Sequence, residues 1–251
     1  MLPEQVYAMV FAPHPDDAEG GVGGTIVRWA REGKGVILVI CTNGDKGTND
    51  PKIKPEDLVK IREAEERAAA KLLGVREVIF LGHPDQTLED TPELKKEATR
   101  LIRMYRPEVV LTLDNQRRYT SHPDHRATGR MVLDAVSLYA RNLYSFPELY
   151  FEEGLELHRV PEILLWGSDS PNCCYDITDT FDFKMAALEC HKSQFGEPSE
   201  ERTKRMRQRA KEQAKKERFT LGEAFHRLEM MMPPGSPQAA RRTTRRRPRR
   251  D

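Results

Sequence analysis

Short apolar runs rich in β-branched residues punctuate the chain at residues 6–12 (VYAMVFA), 36–41 (VILVIC), 77–81 (EVIFL), 108–113 (EVVLTL) and 162–166 (EILLW). Near-continuous apolarity over five to seven residues suits strands buried on both faces of a parallel sheet. Helical spacing fills the intervals and predicts helices over 24–32, 56–73, 92–105, 125–137, 178–194, 199–217 and 220–231. Gly33 and Gly74 stand where left-handed C-caps belong, and Thr91-Pro92-Glu93 reads as a cap followed by proline at the first helical position. Within 56–73, Leu58, Ile61, Ala64, Ala68 and Leu72 recur every three or four residues and predict the core-facing side. The 199–217 segment has almost no apolar stripe, so it is expected to be solvated or to face a partner. Strand and helix alternate, which predicts an α/β fold around a mostly parallel sheet.

Composition narrows the class. The 251 residues are 38% apolar and 32% charged, and no uncharged apolar run of 18 residues exists, so no membrane-spanning helix is expected. The first residues, MLPEQVYAMVFAPHPDD, lack the layout of a signal peptide. Cys41, Cys173, Cys174 and Cys190 form no C-x-x-C pair, and the expectation is a reduced, cytoplasmic protein. The net charge of +1 hides an asymmetry: the last eleven residues carry seven Arg and one Asp, or +6, leaving the other 240 at −5. One domain over 1–232 and a disordered Arg-rich tail over 233–251 are predicted.

Two clusters carry candidate chemistry. His14-Pro15-Asp16-Asp17-Ala18-Glu19 follows the first strand, and His122-Pro123-Asp124-His125 follows the strand ending near 113. Both lie at C-terminal strand ends, where open α/β sheets place their ligand crevice. Imidazole and carboxylate are ordinary zinc ligands, and three of them plus an open position define a catalytic site. His14 and Asp17 can aim at one point and His125 can close the set. Asp16 and Asp124 are spare acids able to take a proton from water acidified to a pKa of about 7. A His122–Asp124 pair could support a developing oxyanion. His83-Pro84-Asp85 repeats the tripeptide without a second His, and His83 reads as structural. The 20–25 segment GGVGGT lacks G-x-G-x-x-G spacing, so close helix–strand packing is its expected role. Trp29, Trp166 and Cys41 read as core residues, and residues 230–232 as closing the last helix.

The ordered blocks FAPHPDDAEGGVGGT, CTNGDKGT, IREAEERAAAKLLGV, FLGHPDQTL, RPEVVLT, SHPDHRATG, DITDTFDFKMAALECHKSQF and GEAFHRL resemble the LmbE/PIG-L-like N-acetylglucosaminyl deacetylases over residues 6–228. The resemblance implies a Rossmann-like sheet with helices on both faces and one divalent metal per chain at the C-terminal strand ends. Zn2+ is the expected ion, with another such as Fe2+ as the alternative. It implies His14, Asp17 and His125 as ligands and Asp16 as general base. His122, backed by Asp124, would stabilise the oxyanion or protonate the leaving amine. Arg62 would face the pocket, Asp85 would contact sugar hydroxyls, and His191 would lie near the site. The implied reaction removes the N-acetyl group of an N-acetylglucosamine-type sugar or conjugate, and the implied assembly is a homo-oligomer. Thr120 stands where some members carry Tyr, with Tyr119 beside it. Other readings are an amidase acting on thiol–sugar conjugates or other N-acyl amines, a non-haem Fe(II) enzyme using a two-His-one-carboxylate triad, and polyanion binding through the tail. No membrane partner is expected, and nucleic acid only weakly through the tail.

Overall fold

The computed structural model describes residues 3–119 and 122–231. Its five parallel strands come from the five apolar runs: β1 (Ala8–Ala12), β2 (Val36–Thr42), β3 (Glu77–His83), β4 (Val109–Leu113) and β5 (Glu162–Trp166). Two further strands, β6 (Cys173–Asp176) and β7 (Gly222–Glu229), extend one edge antiparallel, giving the order β3-β2-β1-β4-β5-β7-β6. Alternate residues of each parallel strand enter opposite cores. Met9, Phe11, Ile37 and Val39 pack with α3 (Pro92–Tyr105) and α4 (Pro123–Ser137). Ala8, Val10, Leu38 and Ile40 pack with α1 (Asp17–Arg31) and α2 (Pro55–Leu73). Burying each large aliphatic or aromatic side chain contributes about 1.5–3 kcal/mol, which is why four of the apolar runs become the interior strands β2, β1, β4 and β5, while β3 takes the edge and stays partly exposed. Chain order reverses between β1 and β4, and the loops that follow these two strands open into the crevice that such a reversal creates.

Caps behave as expected. Gly33 and Gly74 adopt φ of 75° and 73° after their helices, and Thr91 accepts the Leu94 N–H at 3.2 Å. Trp29, Trp166 and Cys41 are buried in the core. The 20–25 glycines serve close packing: a Cβ on Gly21 would stand 2.6 Å from Trp166 Nε1, and one on Gly24 2.7 Å from Ile177 Cβ.

Several boundaries differ from the sequence reading. α1 starts at Asp17 rather than residue 24, because the glycine run is inside the helix and the acidic loop forms its first turn. The 178–194 helix divides into α6 (Phe181–Leu188) and α7 (Lys192–Phe195), separated by a turn that carries His191. The 199–217 helix shortens to α8 (Glu200–Gln213), and a short α5 (Pro147–Phe151) precedes β5. The 220–231 helix is instead strand β7. GEAFHRLE has adequate helix formers, but pairing with both β5 and β6 gives it two ladders of hydrogen bonds and overrides local propensity. Met230 therefore packs beside a strand, and Met232 lies outside the described residues. The predicted face of α2 is also wrong. Ile61 and Leu72 are 42% and 46% exposed, whereas Leu58, Arg62, Glu66, Ala69, Ala70 and Leu73 are buried. The inward face of this helix carries an arginine and a glutamate because it lies under the crevice.

Candidate metal centre

β1 delivers His14 to the crevice, and the chain then turns sharply into α1 through Asp16, whose φ of 103° is unusual for a residue with a side chain. Such a conformation costs of order 1–3 kcal/mol and persists where surrounding contacts enforce it. Here the Asp16 N–H donates to Glu66 Oε2 at 3.3 Å, and Arg62 Nη2 donates to Pro15 O at 2.6 Å and Asp16 Oδ2 at 3.1 Å. The turn leaves Asp17 facing His14. From the other loop, Pro123 starts α4, with His122 as its cap, and brings in the consecutive residues Asp124 and His125 within the first turn.

The donors converge. Asp17 Oδ2 lies 3.1 Å from His14 Nδ1 and 3.3 Å from His125 Nε2. One ring nitrogen from each of His14, His122 and His125 lies within 4.8 Å of the others. The second nitrogen of His14, Nε2, meets Asp124 Oδ2 at 3.1 Å. Asp124 is itself fixed by N–H groups of Gln86 at 2.7 Å and Leu88 at 3.1 Å. An imidazole whose far nitrogen is held by an anchored carboxylate, with its near nitrogen aimed at a second carboxylate and a second imidazole, has the build of a metal ligand.

Electrostatics agree with a spot that holds positive charge. Burial opposes charge on His14, yet its hydrogen bonds to Asp17 and Asp85 outweigh burial and carry its pKa up to about 10. Burial raises Asp17, but His125 and His14 overcome that and hold its carboxyl well below the usual range. Burial and the Asp17 charge push Asp16 up to about 7, against the pull of Arg62. Burial, then the charges of His14 and His125, hold His122 below its ordinary value.

The other sequence-predicted residues fall in three places. Asp124 supports His14 rather than His122: its Oδ2 is 3.9 Å from His122 Nδ1, which instead accepts the Asp124 backbone N–H at 3.3 Å. That acceptance places the proton of a neutral His122 on Nε2. Asp85 Oδ1 lies 3.1 Å from His14 Nε2, and its backbone is tied to Asp45 Oδ1 and to the Lys46 ammonium. Arg62 is only 3% exposed, beneath Asp16 rather than on the crevice surface. His191 is fully buried, 3.6 Å from Glu19 Oε2 and 3.9 Å from Glu66 Oε2. His83 pairs with Glu97 at 2.7 Å, away from the cluster. Tyr119 is 89% exposed and does not reach in, while Thr120 lies outside the described residues. Sequence reasoning named Glu19 within the first cluster but gave it no role, and it missed Glu66, whose only signal was its place one turn after Arg62.

Comparison with known proteins places the chain. The family model described as PIG-L, GlcNAc-PI de-N-acetylase, matches residues 9–136. The diacetylchitobiose deacetylase of Thermococcus kodakarensis is 36% identical over 185 residues, covering 74% of this chain and 68% of that protein. A probable N-acetyl-alpha-D-glucosaminyl L-malate deacetylase 2 of Bacillus anthracis is 30% identical over 195 residues, covering 75% and 81%. The inhibitor-bound N,N'-diacetylchitobiose deacetylase of Pyrococcus horikoshii superposes with a TM-score of 0.84 at 32% identity, covering 89% of this chain and 84% of that one.

Proposed function

The chain belongs to the PIG-L family of de-N-acetylases, and from that premise we propose that it hydrolyses the acetamide of an N-acetylglucosamine-type sugar or conjugate, releasing acetate and a free amine. The observation that carries this reading is Asp17 Oδ2 standing 3.1 Å from His14 Nδ1 and 3.3 Å from His125 Nε2 at the mouth of the crevice, with Asp16 beside it. His14, Asp17 and His125 would hold one divalent ion, and their donor set suits zinc. When bound, such an ion polarises a carbonyl and acidifies water.

The chain's own residues supply the rest. Asp16 takes a proton from the attacking water as its oxygen bonds to the acetamide carbon. Arg62 fixes the Asp16 carboxylate from below, so it serves the base rather than the sugar. Neutral His122 points its Nε2–H toward the crevice, where it donates to the carbonyl oxygen as negative charge grows there. The C–N bond then breaks, and Asp16 returns its proton to the departing nitrogen. Asp124 keeps His14 oriented, and Asp85, only 4% exposed and 3.1 Å from the same His14 nitrogen, acts through that imidazole rather than on the sugar hydroxyls. His191 acts from within the fold and touches no substrate.

The test is amine release from a panel: free N-acetylglucosamine, its 6-phosphate, its glycosides with malate and inositol, and the β-1,4 dimer. Release by zinc-loaded protein above an Asp16→Asn blank, abolished by a chelator, is the expected result. Silence on every acetyl sugar with zinc bound stoichiometrically would overturn the substrate assignment, and faster cleavage of longer N-acyl groups would move it to an amidase.

A further inference from the structure

Glu66, which accepts the Asp16 N–H, belongs to a second cluster deeper in the fold. Glu19 of α1, Glu66 of α2 and His191 of the turn between α6 and α7 meet there, each at zero exposure. His191 Nε2 stands 3.6 Å from Glu19 Oε2 and 3.9 Å from Glu66 Oε2, beyond hydrogen-bond range. One donor atom from each residue lies within 4.8 Å of the others. Both Glu19 oxygens, Glu66 Oε1 and both His191 ring nitrogens have no hydrogen-bond partner among the described residues. The neighbouring cation, Arg62, spends its two terminal nitrogens on Pro15 O, Gly44 O and Asp16; its Nε is also buried without a partner and bonds to neither glutamate. Buried polar atoms in native folds are satisfied by hydrogen bonds, ordered water or an ion, and a buried carboxylate without any of these is strongly destabilising.

We propose that Glu19, Glu66 and His191 hold a second divalent cation of the zinc type, separate from the one at His14, Asp17 and His125. One imidazole nitrogen and carboxylate oxygens form an ordinary zinc donor set. Donors around a tetrahedral ion with bonds of about 2.0–2.1 Å stand roughly 3.4 Å apart, so the two separations from His191 need to close by only a few tenths of an ångström, with the Glu19 and Glu66 donors within 4.8 Å of each other. Glu19 has two free oxygens, so the three residues can fill four positions and leave none for substrate. The ion is therefore structural: it ties α1, α2 and the His191 turn together behind Asp16. Zero exposure means that it enters as the chain folds. The competing arrangement is a proton on Glu66, whose carboxyl burial and the Glu19 charge push up, with a water between the three side chains.

The experiment counts zinc per chain by mass spectrometry in full-length protein produced with Zn2+ and then desalted. Two equivalents are expected in the unaltered chain, and one in each of Glu19→Gln, His191→Gln and His125→Ala. The proposal is overturned if the zinc-saturated chain holds one equivalent that His125→Ala abolishes, or if Glu19→Gln holds as much as the unaltered chain. One equivalent lost in Glu19→Gln but kept in His125→Ala would support this site and sink the first. Should the Glu19 and His191 variants fail to fold, anomalous diffraction at the zinc edge from crystals of the unaltered protein decides. A peak about 2.1 Å from His191 Nε2 supports the site, and a water or no peak there overturns it.

Discussion

In front of Asp16, His14, Asp17, His122 and His125 share polar atoms with one another and remain 10–35% exposed. Behind it, Glu19, Glu66 and His191 are sealed at zero exposure and make hardly any bonds. Both clusters combine imidazoles with carboxylates, and both touch the turn that carries Asp16. The difference is access. An open cluster leaves room for water and substrate and suits chemistry, whereas a closed one suits stability. Substitutions in front should therefore change turnover without unfolding the chain, and substitutions behind should change folding first.

The largest expected effect is that of His125→Ala, which removes a donor on the open side. Amine release falls to background and the front equivalent of metal is lost, while circular dichroism and melting stay close to the unaltered chain. Asp16→Asn separates base from ligand: the metal stays, and the turnover number falls by about 10²–10⁴. Loss of metal in this variant would erase the distinction between the two roles. Asp124→Asn should weaken metal binding about 10–100-fold through His14, measured by competition with a chromogenic chelator. The smallest effect belongs to packing away from the crevice. Gly24→Ala puts a methyl 2.7 Å from Ile177 and should lower stability by about 1–3 kcal/mol in denaturant titration. Its KM should be unchanged.

The open side was legible in the sequence because its residues cluster in two short motifs, each just after a strand that reads as a continuous apolar run. Parallel strands buried on both faces leave that signature, as β1, β2, β4 and β5 do, and the partly exposed edge strand β3 was placed from a similar run. The closed side was legible only in part: Glu19 stood in the first motif without a role, His191 came only from the family resemblance, and Glu66, a single glutamate on an amphipathic helix, looked like surface charge. The same misreading turned α2 around: Ile61, Ala64, Ala68 and Leu72 form the more apolar stripe, yet the buried face includes Arg62 and Glu66. Polar residues face inward there because they brace the Asp16 turn. β7 was read as a helix because its partner residues in β5 and β6 lie 46 to 67 positions upstream and no local pattern announces them.

The central claim is that acetate release depends on the ion held by His14, Asp17 and His125, and zinc add-back tests it most directly. Chelated protein is titrated with Zn2+ while acetate release from a GlcNAc-type substrate and zinc content are followed together, beside His125→Ala. Activity that returns in proportion to the zinc which only the His125-containing chain regains is the expected result. Full acetate release by the chelated chain, or by zinc-loaded His125→Ala, would contradict it.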